Sequence, residues 1–158
     1  MTGVFEVRSV EETWALARRL AAGLKSGDVV CLEGDLGAGK TTFTQGLAAA
    51  LGVAGRVTSP TFCIVQEHRP SPSSGGSCAV SVRPPLLVHM DLYRLHGEDD
   101  VVAIGWEDYL AEGAILAVEW PERAGSLIPP QAQHVVFAHL DDPEGRRIEF
   151  RRGAEGRS

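Results

Sequence analysis

Val29-Val30-Cys31-Leu32-Glu33-Gly34-Asp35-Leu36-Gly37-Ala38-Gly39-Lys40-Thr41-Thr42-Phe43 is the stretch whose reading decides the fold. It opens on a short, continuous apolar run, as expected of a strand buried on both faces. A glycine loop follows at once, in which Gly34, Gly39, Lys40 and Thr41 satisfy the pattern G-x-x-x-x-G-K-[ST]. Beyond it, Phe43, Leu47 and Leu51 recur at i, i+4 and i+8 and predict a helix that Gly52 stops. Glycines here let backbone N–H groups converge on phosphate oxygens with no Cβ in the way. The helix starting at Lys40 adds the positive end of its dipole. Lys40 can reach β- and γ-phosphates, and the Thr41 hydroxyl can ligate Mg²⁺. The chain has only two lysines, Lys25 and Lys40, so an otherwise Arg-rich sequence keeps a compact point charge at this position.

Two further apolar runs end in acids. Residues 86–90 lead into Asp91, and residues 115–118 lead into Glu119. Ligands of a parallel α/β sheet bind beyond the carboxyl ends of its strands, so both acids are expected beside the phosphates. One would serve the metal ion and the other the attacking water. Trp120-Pro121 follows Glu119, with an anchoring and a functional role equally open to the tryptophan. Thr58-Ser59-Pro60-Thr61 is read either as an ordinary Ser-Pro turn or as a hydroxyl-rich sensor of the γ-phosphate.

Outward from these blocks, residues 3–8 alternate as a short strand. Ser9 and Glu12 form a capping box for a helix with Trp14, Ala17, Ala21 and Leu24 on one face. A strand is expected around residues 63–65, and residues 69–85, dense in Pro, Ser and Gly, read as a flexible surface loop. One polar helix is expected over residues 98–110. Residues 134–140 and 147–151 alternate on either side of Asp-Asp-Pro-Glu-Gly and read as a hairpin. Residues 1–152 are expected to form one domain and residues 153–158 a disordered tail.

At 158 residues the chain fits one core. A net charge of -6 argues against a protein that grips nucleic acid alone, but not against work inside a complex that holds RNA. No run is long enough to span a membrane and no signal peptide is visible, so a cytoplasmic protein without membrane contact is the default. Cys31, Cys63 and Cys78 match neither a disulfide framework nor a zinc pattern, and the first two are read as buried thiols. The lack of an Asn-Lys-x-Asp segment disfavours GTP. An ATPase, a small-molecule kinase (with Arg94 or Arg123 on a lid) and a non-catalytic ATP-sensing switch all remain open on these grounds.

GDLGAGKTTF (34–43), TSPTF (58–62), HMDLYRL (89–95), IGWEDYL (104–110) and VEWPER (118–123), in that order, resemble the TsaE (YjeE/YdiB) family, the ATPase of bacterial tRNA threonylcarbamoyladenosine biosynthesis. The resemblance spans most of residues 9–123; from about Gln131 no motif matches, and the 69–85 segment looks longer than its family counterpart. It implies an α/β P-loop NTPase fold, a mainly parallel sheet flanked by helices with an added antiparallel part. It implies ATP and Mg²⁺ as cofactors, TsaB- and TsaD-like partners, and tRNA met only indirectly. Carried over by position, Gly37, Ala38, Gly39 and Lys40 hold phosphates, Thr42 contacts the α-phosphate side, and Thr41 and Glu119 coordinate Mg²⁺. Asp91 is needed for hydrolysis, and Thr13 contributes to the nucleotide pocket.

Overall fold

The computed structural model describes residues 1–53, 64–70 and 85–153. The Thr58–Thr61 segment, Cys63, Cys78, most of the 69–85 loop and nearly all of the expected tail lie outside the described residues.

The described chain runs β1 (Gly3–Val7), α1 (Val10–Ala21), β2 (Val29–Gly34), α2 (Lys40–Ala50), β3 (Val65–His68), β4 (Leu87–Asp91), α3 (Glu98–Ala103), α4 (Trp106–Ala111), β5 (Ile115–Glu119), β6 (Gln133–His139) and β7 (Arg146–Arg152). Two short 3-10 turns, Pro121–Arg123 and Gly125–Leu127, precede β6. One seven-stranded sheet holds them in the order β1-β7-β6-β2-β5-β4-β3. Its centre is parallel, with β2 paired to both β5 and β6 and β5 paired to β4. Antiparallel pairs extend it at both sides: β6–β7 and β7–β1 at one, β4–β3 at the other. This is the α/β architecture expected, with the antiparallel part distributed to both edges.

Period-two alternation sorts the strand side chains into two cores. Val30, Leu32, Leu87, Ile115, Ala117, Val135, Phe137, Ile148 and Phe150 face α1 and α2. Val29, Cys31, Val88, Met90, Leu116 and Val118 face the other way, onto Val101 of α3 and Trp106 of α4. The central strands are thus apolar on both faces, which is why they read as continuous rather than alternating runs. Cys31 is buried as expected; burial, and after it the charge of Glu33, pushes its thiol up to about 12.

Two helical expectations are corrected. In α1 the buried positions are Thr13, Leu16, Ala17, Leu20 and Ala21. The helix packs on both α2 and the sheet, so its stripe is wider than the one read from Trp14, and Leu24 falls beyond its end. Trp14 sits at the flank, where a Cβ on Gly46 would lie 3.0 Å from its indole. The single helix expected over residues 98–110 is two short ones. Gly105 has φ +102°, a left-handed conformation that ends one helix and lets the next leave at a new angle.

Candidate functional site

The phosphate loop leaves the carboxyl end of β2 in the middle of the sheet. Its first residue, Gly34, has φ +144°, and a Cβ there would lie 2.5 Å from the carbonyl oxygen of Phe137 in β6. Both the dihedral and the close approach require glycine. The loop residues 34–37 are exposed, Ala38 is buried, and Gly39 at φ +107° starts α2. No side chain caps that helix and no acid stands in its first turn. The Phe43 N–H closes the first helical turn on Gly39. The N–H groups of the preceding positions belong to a helix's intrinsically unpaired set.

Because β4 and β5 run parallel to β2, their carboxyl ends share its edge. Asp91 and Glu119 are paired in register, and Leu32 of β2 pairs with Glu119 on its other side. Lys40 meets this row from α2. Its Nζ lies 3.8 Å from Oε1 of Glu119, with both side chains about nine-tenths withdrawn from water. The same ammonium donates to the Gly34 carbonyl and, at 3.4 Å, to that of Asp35. Attraction between the two charges is stronger here than at an open surface, because little solvent separates them.

The other oxygen of Glu119, Oε2, is 2.9 Å from Nε2 of His89, which is fully buried. His89 is a residue that sequence reading did not single out, although a signal existed. In a strand of period two it must share a face with Asp91, two positions on. Nearby, burial and secondarily the proximity of His89 push the His68 imidazole below its ordinary value.

Asp91 accepts a hydrogen bond on Oδ1 from the Tyr93 N–H at 3.0 Å, forming a tight turn after β4. Tyr93 and Trp120 then pack against one another with ring centroids 4.9 Å apart, both partly exposed. Trp120 has φ +57°, the one positive value at a non-glycine residue among those described. A bulky side chain in that region is strained, so its place directly after Glu119 is held by its surroundings.

The geometry therefore unites Lys40, Glu119 and Asp91 at one sheet edge, with Thr41 and Thr42 in the first turn of α2. It does not draw Thr13 into that cluster. The Thr13 N–H and hydroxyl both donate to the Ser9 carbonyl, within its own helix. Neither Lys40, Asp91 nor Glu119 lines the concavity of about 740 Å³ on the opposite face, which is bounded by residues such as Glu33, His134 and Arg151.

The residues present suit a phosphate-bound divalent cation. No three His, Cys, Asp or Glu side chains among the described residues could hold a metal ion by themselves. A magnesium ion on a nucleotide needs only one or two protein ligands, the rest coming from phosphates and water. No helix of the described residues is long and apolar enough to cross a membrane.

A family model described as threonylcarbamoyl adenosine biosynthesis protein TsaE matches residues 7–148. The match runs past residue 123 into β7 and so covers residues 131–148, which the motifs left unassigned. The tRNA threonylcarbamoyladenosine biosynthesis protein TsaE of Bacillus subtilis is 41% identical over 140 residues, 89% of this chain and 79% of that protein. That of Mycobacterium bovis is 39% identical over 146 residues, 88% of this chain and 76% of that one. Among solved structures, Bacillus subtilis YdiB superposes with a TM-score of 0.67 at 33% identity, covering 95% of this chain and 86% of its own. The chain belongs to the TsaE family and has the P-loop NTPase fold.

Proposed function

From that membership and this geometry we propose that the chain is a Mg²⁺-dependent ATPase. It would support formation of the threonylcarbamoyl group on adenosine 37 of ANN-decoding tRNAs, together with TsaB- and TsaD-like partners. The observation that carries the reading is the meeting of Lys40 and Glu119 at the uncapped start of α2. A cation that holds phosphate and an acid that can hold metal lie together where a helix presents unpaired N–H groups. The names of the relatives supply the tRNA substrate and the pathway.

In this reading the backbone of Gly37, Ala38 and Gly39 and the first turn of α2 bind the phosphate oxygens. Lys40 holds the β- and γ-phosphates, and Thr42 meets the α-phosphate side. Thr41 and Glu119 would hold Mg²⁺, which would neutralise charge on the phosphate oxygens. Asp91 keeps acceptor capacity beyond its bond to Tyr93, and orients the attacking water. Thr13 acts from α1 as a more distant part of the nucleotide pocket. Transfer is to water, so the useful output is a change in how the partners dock or turn over.

Depleting the protein and measuring tRNA nucleosides by mass spectrometry tests the reading. Loss of threonylcarbamoyladenosine is expected. An unchanged level overturns the tRNA assignment while leaving the nucleotide site intact. With purified components, hydrolysis should rise when the TsaB- and TsaD-like proteins are added; equal rates with and without them would end the coupling idea.

A further inference from the structure

We propose that His89 is a positioning residue that fixes the Glu119 carboxylate for metal binding, an inference that rests on the reading of Glu119 as a Mg²⁺ ligand. His89 is the third residue of β4, fully buried and on the sheet face of Leu87. Its register partner on β5 is Ala117, whose methyl group leaves the ring room to reach diagonally to Glu119, two residues further along. The contact is 2.9 Å from Nε2 to Oε2. An ionised carboxylate only accepts, so Nε2 carries the hydrogen and donates it.

The far side of the ring sharpens this assignment. Nδ1 is buried with no hydrogen-bond partner among the described residues. With the hydrogen on Nε2, Nδ1 leaves a lone pair unused. A hydrogen on Nδ1 would instead be a buried donor with no acceptor, the costlier arrangement. The ring is thus a one-sided donor aimed at one oxygen of Glu119. With Oε2 held, Oε1 is the oxygen turned toward Lys40 Nζ, 3.8 Å away. Hydrogen bonds to ligating carboxylates restrict them to one orientation, and losing such a bond typically costs about 10- to 100-fold in metal affinity.

The test uses the full chain with Mn²⁺ as a paramagnetic probe, its affinity measured in the presence of ADP, beside ADP affinity measured in EDTA. His89→Leu is expected to weaken Mn²⁺ binding about tenfold or more and to leave metal-free ADP affinity unchanged. His89→Gln, whose amide can donate from nearly the same place, is expected to recover most of the loss. Unchanged Mn²⁺ affinity in His89→Leu overturns the inference, as does an equal loss of metal-free ADP binding or a failure of His89→Gln to rescue. Glu119→Gln separates the two layers. If it leaves Mn²⁺ binding intact, the metal reading of Glu119 falls and takes this inference with it. If it weakens Mn²⁺ while His89→Leu does not, only the role of His89 is lost. Should His89→Leu not fold, ¹⁵N spectra of the histidines in the unsubstituted protein decide. A His89 Nε2–H resonance that shifts on adding Mg²⁺ and ADP supports the assignment, and an Nδ1–H tautomer or an unmoved signal overturns it.

Discussion

Helices α1 and α2 pack side by side on one face of the sheet, yet their first turns are finished in opposite ways. In α1 the Ser9 hydroxyl accepts from the Glu12 N–H at 3.1 Å, and the Glu12 carboxylate accepts from the Arg8 N–H at 2.6 Å. Glu11 and Glu12 place negative charge at the positive end of the dipole. In α2 a glycine stands at the cap, no side chain closes it, and no acid stands in the first turn. The short helices α3 and α4 also begin at uncapped glycines, but each carries acids in its first turn. Among the four described α-helices, α2 alone lacks both forms of compensation. The difference separates architecture from receptivity: a helix start that the chain satisfies itself holds the fold, and one it leaves open suits an external anion.

Four substitutions would break or sharpen that contrast. Lys40→Ala has the largest expected effect. Losing charged contacts to phosphate should cost about 3 kcal/mol, or roughly 100-fold in ATP affinity, read by calorimetry; undiminished binding would break the contrast outright. Gly34→Ala comes next, destabilising the protein by about 2 to 3 kcal/mol in urea titrations through strain at positive φ and collision with the Phe137 carbonyl. Ser9→Ala should lower stability by about 1 kcal/mol with a far smaller effect on nucleotide affinity than Lys40→Ala, because the Ser9 hydroxyl serves the cap of α1. Smallest in stability is Thr42→Glu, which gives α2 the acid that α1 already has. It should raise the thermal midpoint of the nucleotide-free protein, by about 0.5 kcal/mol in stability, while weakening ATP binding. A gain in both would mean that the open start of α2 is not where phosphate sits.

The contrast also shows what could be read from sequence. The loop of residues 34–42 was legible because its requirements are local: glycine for backbone access, one lysine, one hydroxyl, a strand before and a helix after. The acids at the ends of β4 and β5 were legible because a parallel sheet gathers its strand ends. The buried stripe of α1 was misjudged because it is set by two packing partners, and a single face of periodic residues registers only one. Gly105 was read through because one glycine inside a helical pattern is compatible with both an interruption and a continuous helix. The His89–Glu119 contact joins residues of two strands across 30 positions, and only their pairing register brings them together. The insertion of β6 between β2 and β7 was equally hidden. The hairpin itself was visible, but the neighbour that it would choose was not.

That insertion bears on the order in which the molecule can be assembled on the ribosome. The Gly34 turn is built against Phe137, and β1 pairs with β7. β1 therefore waits for β7, and the loop lacks one wall until β6 has emerged. Such distant pairing delays folding, since the intervening chain must close before the contact contributes. A nascent chain stopped before β6 should hold α1 and α2 but fail to retain nucleotide, so that competence for ATP arrives only once β6 has emerged.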